Sequence, residues 1–372
     1  MGTSLIAPRA LVALADVAEA KHVKNAREPS RMGLVVTGGT IGSRVIDGLV
    51  EATDAAHADT GLFDSAWKKR MALDLKVAFP LRALSENLRP RDWLTIAESV
   101  RGLVDDENVS GVVVLHGTDT AAYSSAALSF LLADIDVPVV VTGSSLPPNQ
   151  PGSDAPTNVA DAFTAASNLG EGTYLSFSGL PGQPSWIHLG TSVRKVRASG
   201  QAFYSINRDP VAQVSDGVLR FIRPRLKPPS AFKPHQAIDE KVISFRVHPG
   251  LDLSILAAAA ISSGIRGVVV ELYASGTGPN HGGGPYSLTE FVERCAIEGI
   301  LVVATLHEAP EYPGNTYEST VAIRQAGALL IQDMITETAT VKLMWALASS
   351  SDLSKVSELM VLPIAGETNG IT

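Results

Sequence analysis

Four short stretches place reactive side chains where a backbone turn exposes them. Thr37 to Ile41 reads TGGTI, and Thr40 follows two adjacent glycines that open backbone angles closed to other residues and let a ligand approach the main chain. A tight turn explains the same glycines equally well. Gly111 to Thr120 reads GVVVLHGTDT, so His116, Thr118, Asp119 and Thr120 crowd the point where an apolar run ends. Two hydroxyls and a carboxylate there suit a ligand crevice, although Thr118 or Asp119 could simply cap a following helix. Ser85, Glu86 and Asn87 form a third polar cluster, open to a turn or cap reading. Arg194, Lys195 and Arg197 stand between apolar residues. A solvated basic face is the plain reading, and a lysine that serves proton transfer beside a carboxylate is the other.

The elements that must position these groups follow from hydrophobic periodicity. Val112 to Leu115 is an unbroken apolar run of mostly β-branched residues, which predicts a strand buried on both faces. The small-residue stretch from Ala121 to Leu132 predicts a helix packed closely on that sheet. Gly33 to Val36, Val137 to Thr142 and Thr173 to Phe177 are further strands, with helices after Trp93 and over Asn158 to Leu169. Ser43 to Asp64 has no clear period and reads as a long, lid-like loop. The four prolines of Arg223 to Gln236 mark a linker, beyond which strand and helix alternate again to the C-terminus. Two α/β domains are therefore expected: an extension over 1–31, a domain over 32–222, a Pro-rich linker over 223–240 and a smaller domain over 241–372.

Bulk properties narrow the function. Hydrophobic residues at 45% and charged ones at 18% give ample core, and a net charge of −8 with scattered basic residues argues against nucleic acid as a partner. The single cysteine, Cys295, excludes an internal disulfide and fits a reducing compartment. There is no CxxC, no HExxH and no His/Cys cluster at ligand spacing, so no metal site is expected. No apolar run is long enough to span a bilayer, and Pro8, Arg9 and Asp16 break the N-terminal apolar stretch, so a cytoplasmic chain is expected.

Taken together, TGGTI, HGTDT and TGSSLPPNQPGSDAPTN (Thr142 to Asn158) closely resemble the bacterial L-asparaginase/glutaminase family. LSENL, VRK (Val193 to Lys195), AFYSIN, HPGLD and ETATVKLMW extend the resemblance from about Gly33 to the C-terminus. It implies a larger mixed-sheet N-terminal α/β domain, a smaller parallel-sheet, flavodoxin-like C-terminal domain, and a homodimer or homotetramer. It implies that Thr40 is the nucleophile of an acyl-enzyme route, with no metal or organic cofactor. Thr118, Asp119 and Lys195 would form a second catalytic group, Asp119 also receiving the substrate's α-ammonium. Ser85 and Glu86 would bind the substrate's charged groups, with Gly39, Gly117 and Ser144 completing the binding set. The implied reaction releases ammonia from asparagine or a related primary amide. Alternatives of the same chemistry are an asparagine derivative or peptide amide, or an asparaginase-like subunit of a tRNA-dependent amidotransferase. The short N-terminal extension speaks against the subunit, and a non-catalytic amino-acid sensor ranks below both.

Three departures from the family pattern stand out. No tyrosine occurs between Ile46 and Asp59, where the family usually carries one on a mobile loop, and the first in the chain is Tyr123. The spacing from VRK to AFYS is one residue short, which leaves Arg194 as an alternative match to Lys195. Thr277 stands where some members have asparagine.

Overall fold

The computed structural model describes residues 30–46, 49–52, 73–180, 182–198, 201–223, 232–280, 283–307 and 317–368. Strands β1 (Ser30–Val36), β4 (Leu73–Ala78), β5 (Val112–Leu115), β6 (Pro138–Thr142) and β7 (Gly172–Phe177) run parallel in one sheet. Antiparallel β8 (Ser185–Leu189), β11 (Ala212–Ser215) and β12 (Val218–Phe221) complete it, in the order β12-β11-β8-β7-β6-β5-β1-β4. This is the mixed sheet that the resemblance implies. A second, parallel sheet runs in chain order through β13 (Val242–Arg246), β14 (Gly267–Leu272), β15 (Leu301–Leu306) and β16 (Leu329–Leu330).

Strand β5 is apolar along its whole length, and β6 up to Thr142, because both faces are covered. Helices α1 (Pro90–Asp105) and α2 (Ala121–Leu131) lie on one face, and α3 (Ala155–Asn168) lies on the other. Seven of the eleven residues of helix α2 are alanine or serine and ten of the eleven are buried, so it can sit against the sheet and a second helix at once. That second helix is α7 (Thr336–Ser349), of the C-terminal half. Its Trp345 is fully buried and stacks on Phe130 of α2 at 5.8 Å between ring centroids. One apolar cluster therefore runs from Val112 and Val139 through Phe130 to Trp345, Val269 and Val303. The C-terminal sheet carries α4 (Leu253–Ser262), α5 (Leu288–Ile297) and α6 (Glu318–Gln325), and α8 (Leu353–Val361) follows α7.

Two expectations change. The stretch from Ser43, expected as loop, begins with an antiparallel hairpin of β2 (Ser43–Ile46) and β3 (Leu49–Ala52), and residues 53–64 lie outside those described. Four residues per strand, reading SRVI and LVEA, do not alternate and are too few to register as a period. In the Pro-rich stretch 224–231 lies outside the described residues, but Phe232 and Ile238 pack on the core and His235 stacks on Trp345 at 4.3 Å. Its second half is seated on the core. The extension over 1–29 also lies outside the described residues.

Candidate active site

Three parallel strands deliver their C-terminal ends to one place, and glycine lets the loops beyond them touch. Gly38 and Gly39 have φ of 108° and 73°. A Cβ on Gly39 would lie 2.3 Å from the Gly117 nitrogen, and one on Gly117 would lie 2.5 Å from the Ser85 hydroxyl oxygen. TGGTI is thus stacked on HGTDT backbone on backbone, and HGTDT on the Ser85 side chain of LSENL, with no room for a side chain at Gly39 or Gly117. Hydrogen bonds hold the stack: Gly39 N–H donates to the Ala83 carbonyl at 2.9 Å, and Ser43 Oγ donates to the Gly39 carbonyl at 2.6 Å. Thr40 opens a short 3-10 turn directly after Gly39 and is partly exposed.

Thr118 and Asp119 do not cap α2. That helix has Thr120 at its N-cap and no side-chain cap bond, while Thr120 Oγ1 donates to the Ser85 carbonyl at 2.9 Å. Thr120 thereby ties LSENL to HGTDT, a role that its sequence position does not announce. Lys195 reaches across instead, its Nζ donating to Thr118 Oγ1 at 2.7 Å and to Asp119 Oδ1 at 2.6 Å. The Asp119 side chain is 66% exposed and Lys195 33%, so the carboxylate is open to a cationic ligand.

Lys195 comes from β9 (Val193–Ala198), which pairs with β10 (Gln201–Ser205). Strand alternation sends the two basic residues left open by the spacing to opposite sides. Lys195 turns toward Thr118, while Arg194 turns the other way onto Glu337, with two bonds of 2.8 Å.

Other motif residues make contacts within and between the loops. Asp154 accepts from the Ser145 and Leu146 amides, and Asn158 Nδ2 donates to the Gly143 carbonyl. Asn158 Oδ1 in turn accepts from the Ser178 amide, so the SDAPTN segment pins the loop after β6. Ser144 is buried and its hydroxyl donates to the Leu146 carbonyl at 2.7 Å. Ser85 is buried and Glu86 exposed on one 3-10 turn. His116 is fully buried, and its Nδ1–H donates to the Gly117 carbonyl at 2.7 Å. Burial pushes its pKa down to about 4, which keeps the ring neutral and removes it from proton transfer at neutral pH. Among the described residues, no group of three or more His, Cys, Asp or Glu side chains could hold a metal ion, and no helix is long and apolar enough to cross a membrane.

The arrangement offers a lysine able to exchange a proton with a threonine hydroxyl, a carboxylate facing solvent, and a second threonine on the adjoining loop. Comparisons with known proteins give the family. Residues 31–227 match the family described as Asparaginase, N-terminal, and residues 241–360 match the Glutaminase/Asparaginase C-terminal domain. An L-asparaginase of Thermococcus kodakarensis is 36% identical over 90% of this chain and 98% of its own. The solved structure titled as the thermostable L-asparaginase from that organism superposes with a TM-score of 0.77, at 32% identity over 92% of this chain and 100% of that one. A subunit of glutamyl-tRNA(Gln) amidotransferase from Sulfurisphaera tokodaii is 33% identical over 93% of this chain and 77% of its own. Two family matches that together take in most of the chain, on a shared fold, make it a member of the asparaginase family.

Proposed function

We propose that this protein hydrolyses the side-chain amide of L-asparagine, or of a closely related primary amide, to the acid and ammonia through a threonine acyl-enzyme. The observation that carries this reading is Lys195 bridging Thr118 and Asp119. Asp119 takes the substrate's α-ammonium in a charge-assisted contact, with Ser85 and Glu86 beside it, which fixes the amide over the stacked loops. Thr40 Oγ1 attacks the amide carbon. Main-chain amides of the Gly39, Gly117 and Ser144 loops steady the oxyanion, and the hydroxyl proton of Thr40 passes to the amide nitrogen, which leaves as ammonia. Water then attacks the ester, its proton passing through Thr118 to the Lys195 amine, and the same proton returns to Thr40 Oγ1 as the acid departs. We place the reaction in the cytoplasm, in a homodimer or homotetramer divided between domains over 32–222 and 241–372.

The test is ammonia release by the purified protein from asparagine, glutamine and N-substituted asparagines. Lys195→Met is expected to lower kcat by about 10²- to 10⁴-fold, and an acyl mass increment on the Thr40 peptide is expected on rapid quenching. Free asparagine turned over far less well than every substituted amide would move the reading to the derivative. The identity to amidotransferase subunits supports a second reading, in which the ammonia is passed to a partner enzyme. Activity that appears only with a co-purifying partner and tRNA would favour it.

A further inference from the structure

We infer that Arg194 is a positioning residue for Lys195, clamped by the C-terminal domain so that the lysine stays on Thr118. The inference rests on the hydrolase reading for its consequence and on geometry for its existence. Arg194 and Lys195 are neighbours on β9 and point to opposite sides of it, so whatever fixes one side chain fixes the peptide that carries the other. Arg194 Nε and Nη2 donate to the two carboxylate oxygens of Glu337, each at 2.8 Å, and Nη1 donates to the His307 carbonyl at 2.8 Å. Glu271 stands a further 3.6 Å from Nη2. Each guanidinium nitrogen is directed at the C-terminal half of the chain, in a planar arrangement that a lysine could not imitate.

The site of the clamp favours its strength. Arg194 and Glu337 are each only 14% exposed. Glu337 lies in the first turn of α7, where the helix dipole favours a carboxylate. Burial works against the Arg194 charge, but the Glu337 contacts outweigh it and hold the guanidinium more firmly protonated than usual. The same helix grips the turn before β9: Thr338 Oγ1 donates to the Thr191 carbonyl at 2.8 Å, and Thr191 Oγ1 donates to the Ala365 carbonyl at 3.2 Å. Residues 191 to 194 are thus fastened to the C-terminal half from α7 to the tail, immediately before the lysine. Lys195 itself has four rotatable bonds and is one-third exposed. Its own contacts do not immobilise the strand beneath it, and the Arg194 clamp does.

The test combines kinetics with a readout independent of turnover. Arg194→Met and Glu337→Gln are each expected to lower kcat for amide hydrolysis by about 10- to 100-fold with KM within about threefold, because a displacement near 1 Å costs on the order of 10²-fold. In a Lys195→Met background the further loss is expected to shrink below about threefold, since Arg194 acts through Lys195. Acetylation of Lys195 by a small amine-reactive ester, followed by peptide mass spectrometry, is expected to rise several-fold in either variant, with exposed Lys355 as the internal reference. Circular dichroism monitors folding, and Glu337→Gln carries the test if Arg194→Met does not fold. Unchanged kcat together with unchanged Lys195 labelling overturns the clamp, as does an equal loss in the Lys195→Met background. A parent protein that hydrolyses no amide overturns the hydrolase reading alone, and a rise in labelling then still upholds the clamp.

Discussion

Replacing Gly39 with alanine probes the joint between the two threonine loops without touching a reactive group. The added Cβ would stand 2.3 Å from the Gly117 nitrogen and 2.4 Å from its Cα. Both atoms are backbone, so no rotamer change relieves the clash. Carbon contacts settle near 3.5 Å, so the TGGTI and HGTDT turns must part by about 1 Å. Gly39 also has φ 73° and ψ −176°, a region that is essentially glycine's alone and costs other residues on the order of 1–3 kcal/mol. A separation of about 1 Å between Thr40 and Thr118 predicts a fall in kcat/KM on the order of 10²-fold, with a lowered melting temperature but a retained fold. Gly42→Ala is the control three residues on, because its Cβ meets nothing within 4 Å. Ammonia release and thermal melting, measured on both variants, complete the experiment. A Gly39→Ala enzyme within about threefold of the parent, or a Gly42→Ala enzyme as impaired as Gly39→Ala, would refute the stacking argument.

Two further predictions concern buried charge and buried imidazole. Lys342 is fully buried, bonds Glu367 and donates to the Met360 and Leu362 carbonyls, so Lys342→Met leaves the buried Glu367 carboxylate without its counter-charge, held by the Ile364 and Ala365 amides alone. A loss of about 3–5 kcal/mol is expected in urea denaturation, and a loss below about 1 kcal/mol would show that the pair is not structural. Burial also holds two histidines neutral, pushing His116 down to about 4 and His188 to about 3. Unfolded, each binds a proton near pH 6.5. The stability is therefore complete above that pH and is lost as pH falls toward the folded values. About 2 kcal/mol per histidine is lost by pH 5, and His188→Gln should remove about half of the combined acid sensitivity in denaturation curves at pH 7 and pH 5.

The most buried strands are legible in the sequence because burial on both faces leaves apolar residues, and Val112–Leu115 matches its expectation to the residue. Helix α8 and the hairpin β2–β3 are not, because neither carries enough periods to separate from its surroundings. At the site, the glycines and threonines of TGGTI and HGTDT admit a ligand crevice, and backbone rules alone leave it beside a tight turn and a helix cap. The choice between Arg194 and Lys195 does not follow from spacing, since it depends on which face of β9 meets which domain. Nor does the scaffolding role of Asp154, whose carboxylate is spent on local amides in the fold.

The two threonines differ in a way that assigns them to different halves of the proposed reaction. Thr118 is held by the Lys195 ammonium, and a hydroxyl oxygen that accepts from a cation has its lone pair engaged. In that state it is a poor attacker of carbonyl carbon. When the amine is unprotonated the same contact reverses, the hydroxyl donates to nitrogen, and a proton taken from water can pass along it. The pair therefore suits the hydrolytic half, in which water is activated beside an ester already formed. The Lys195 ammonium is spent on Thr118 and Asp119, while the Thr40 backbone is fixed by the Gly39–Gly117 stack and the Ser43 lock on the Gly39 carbonyl. Position, rather than a held base, is what the described residues supply to Thr40. Acylation should accordingly suffer most from Gly39→Ala and deacylation from Lys195→Met, so that only the lysine variant accumulates acyl-enzyme on the Thr40 peptide.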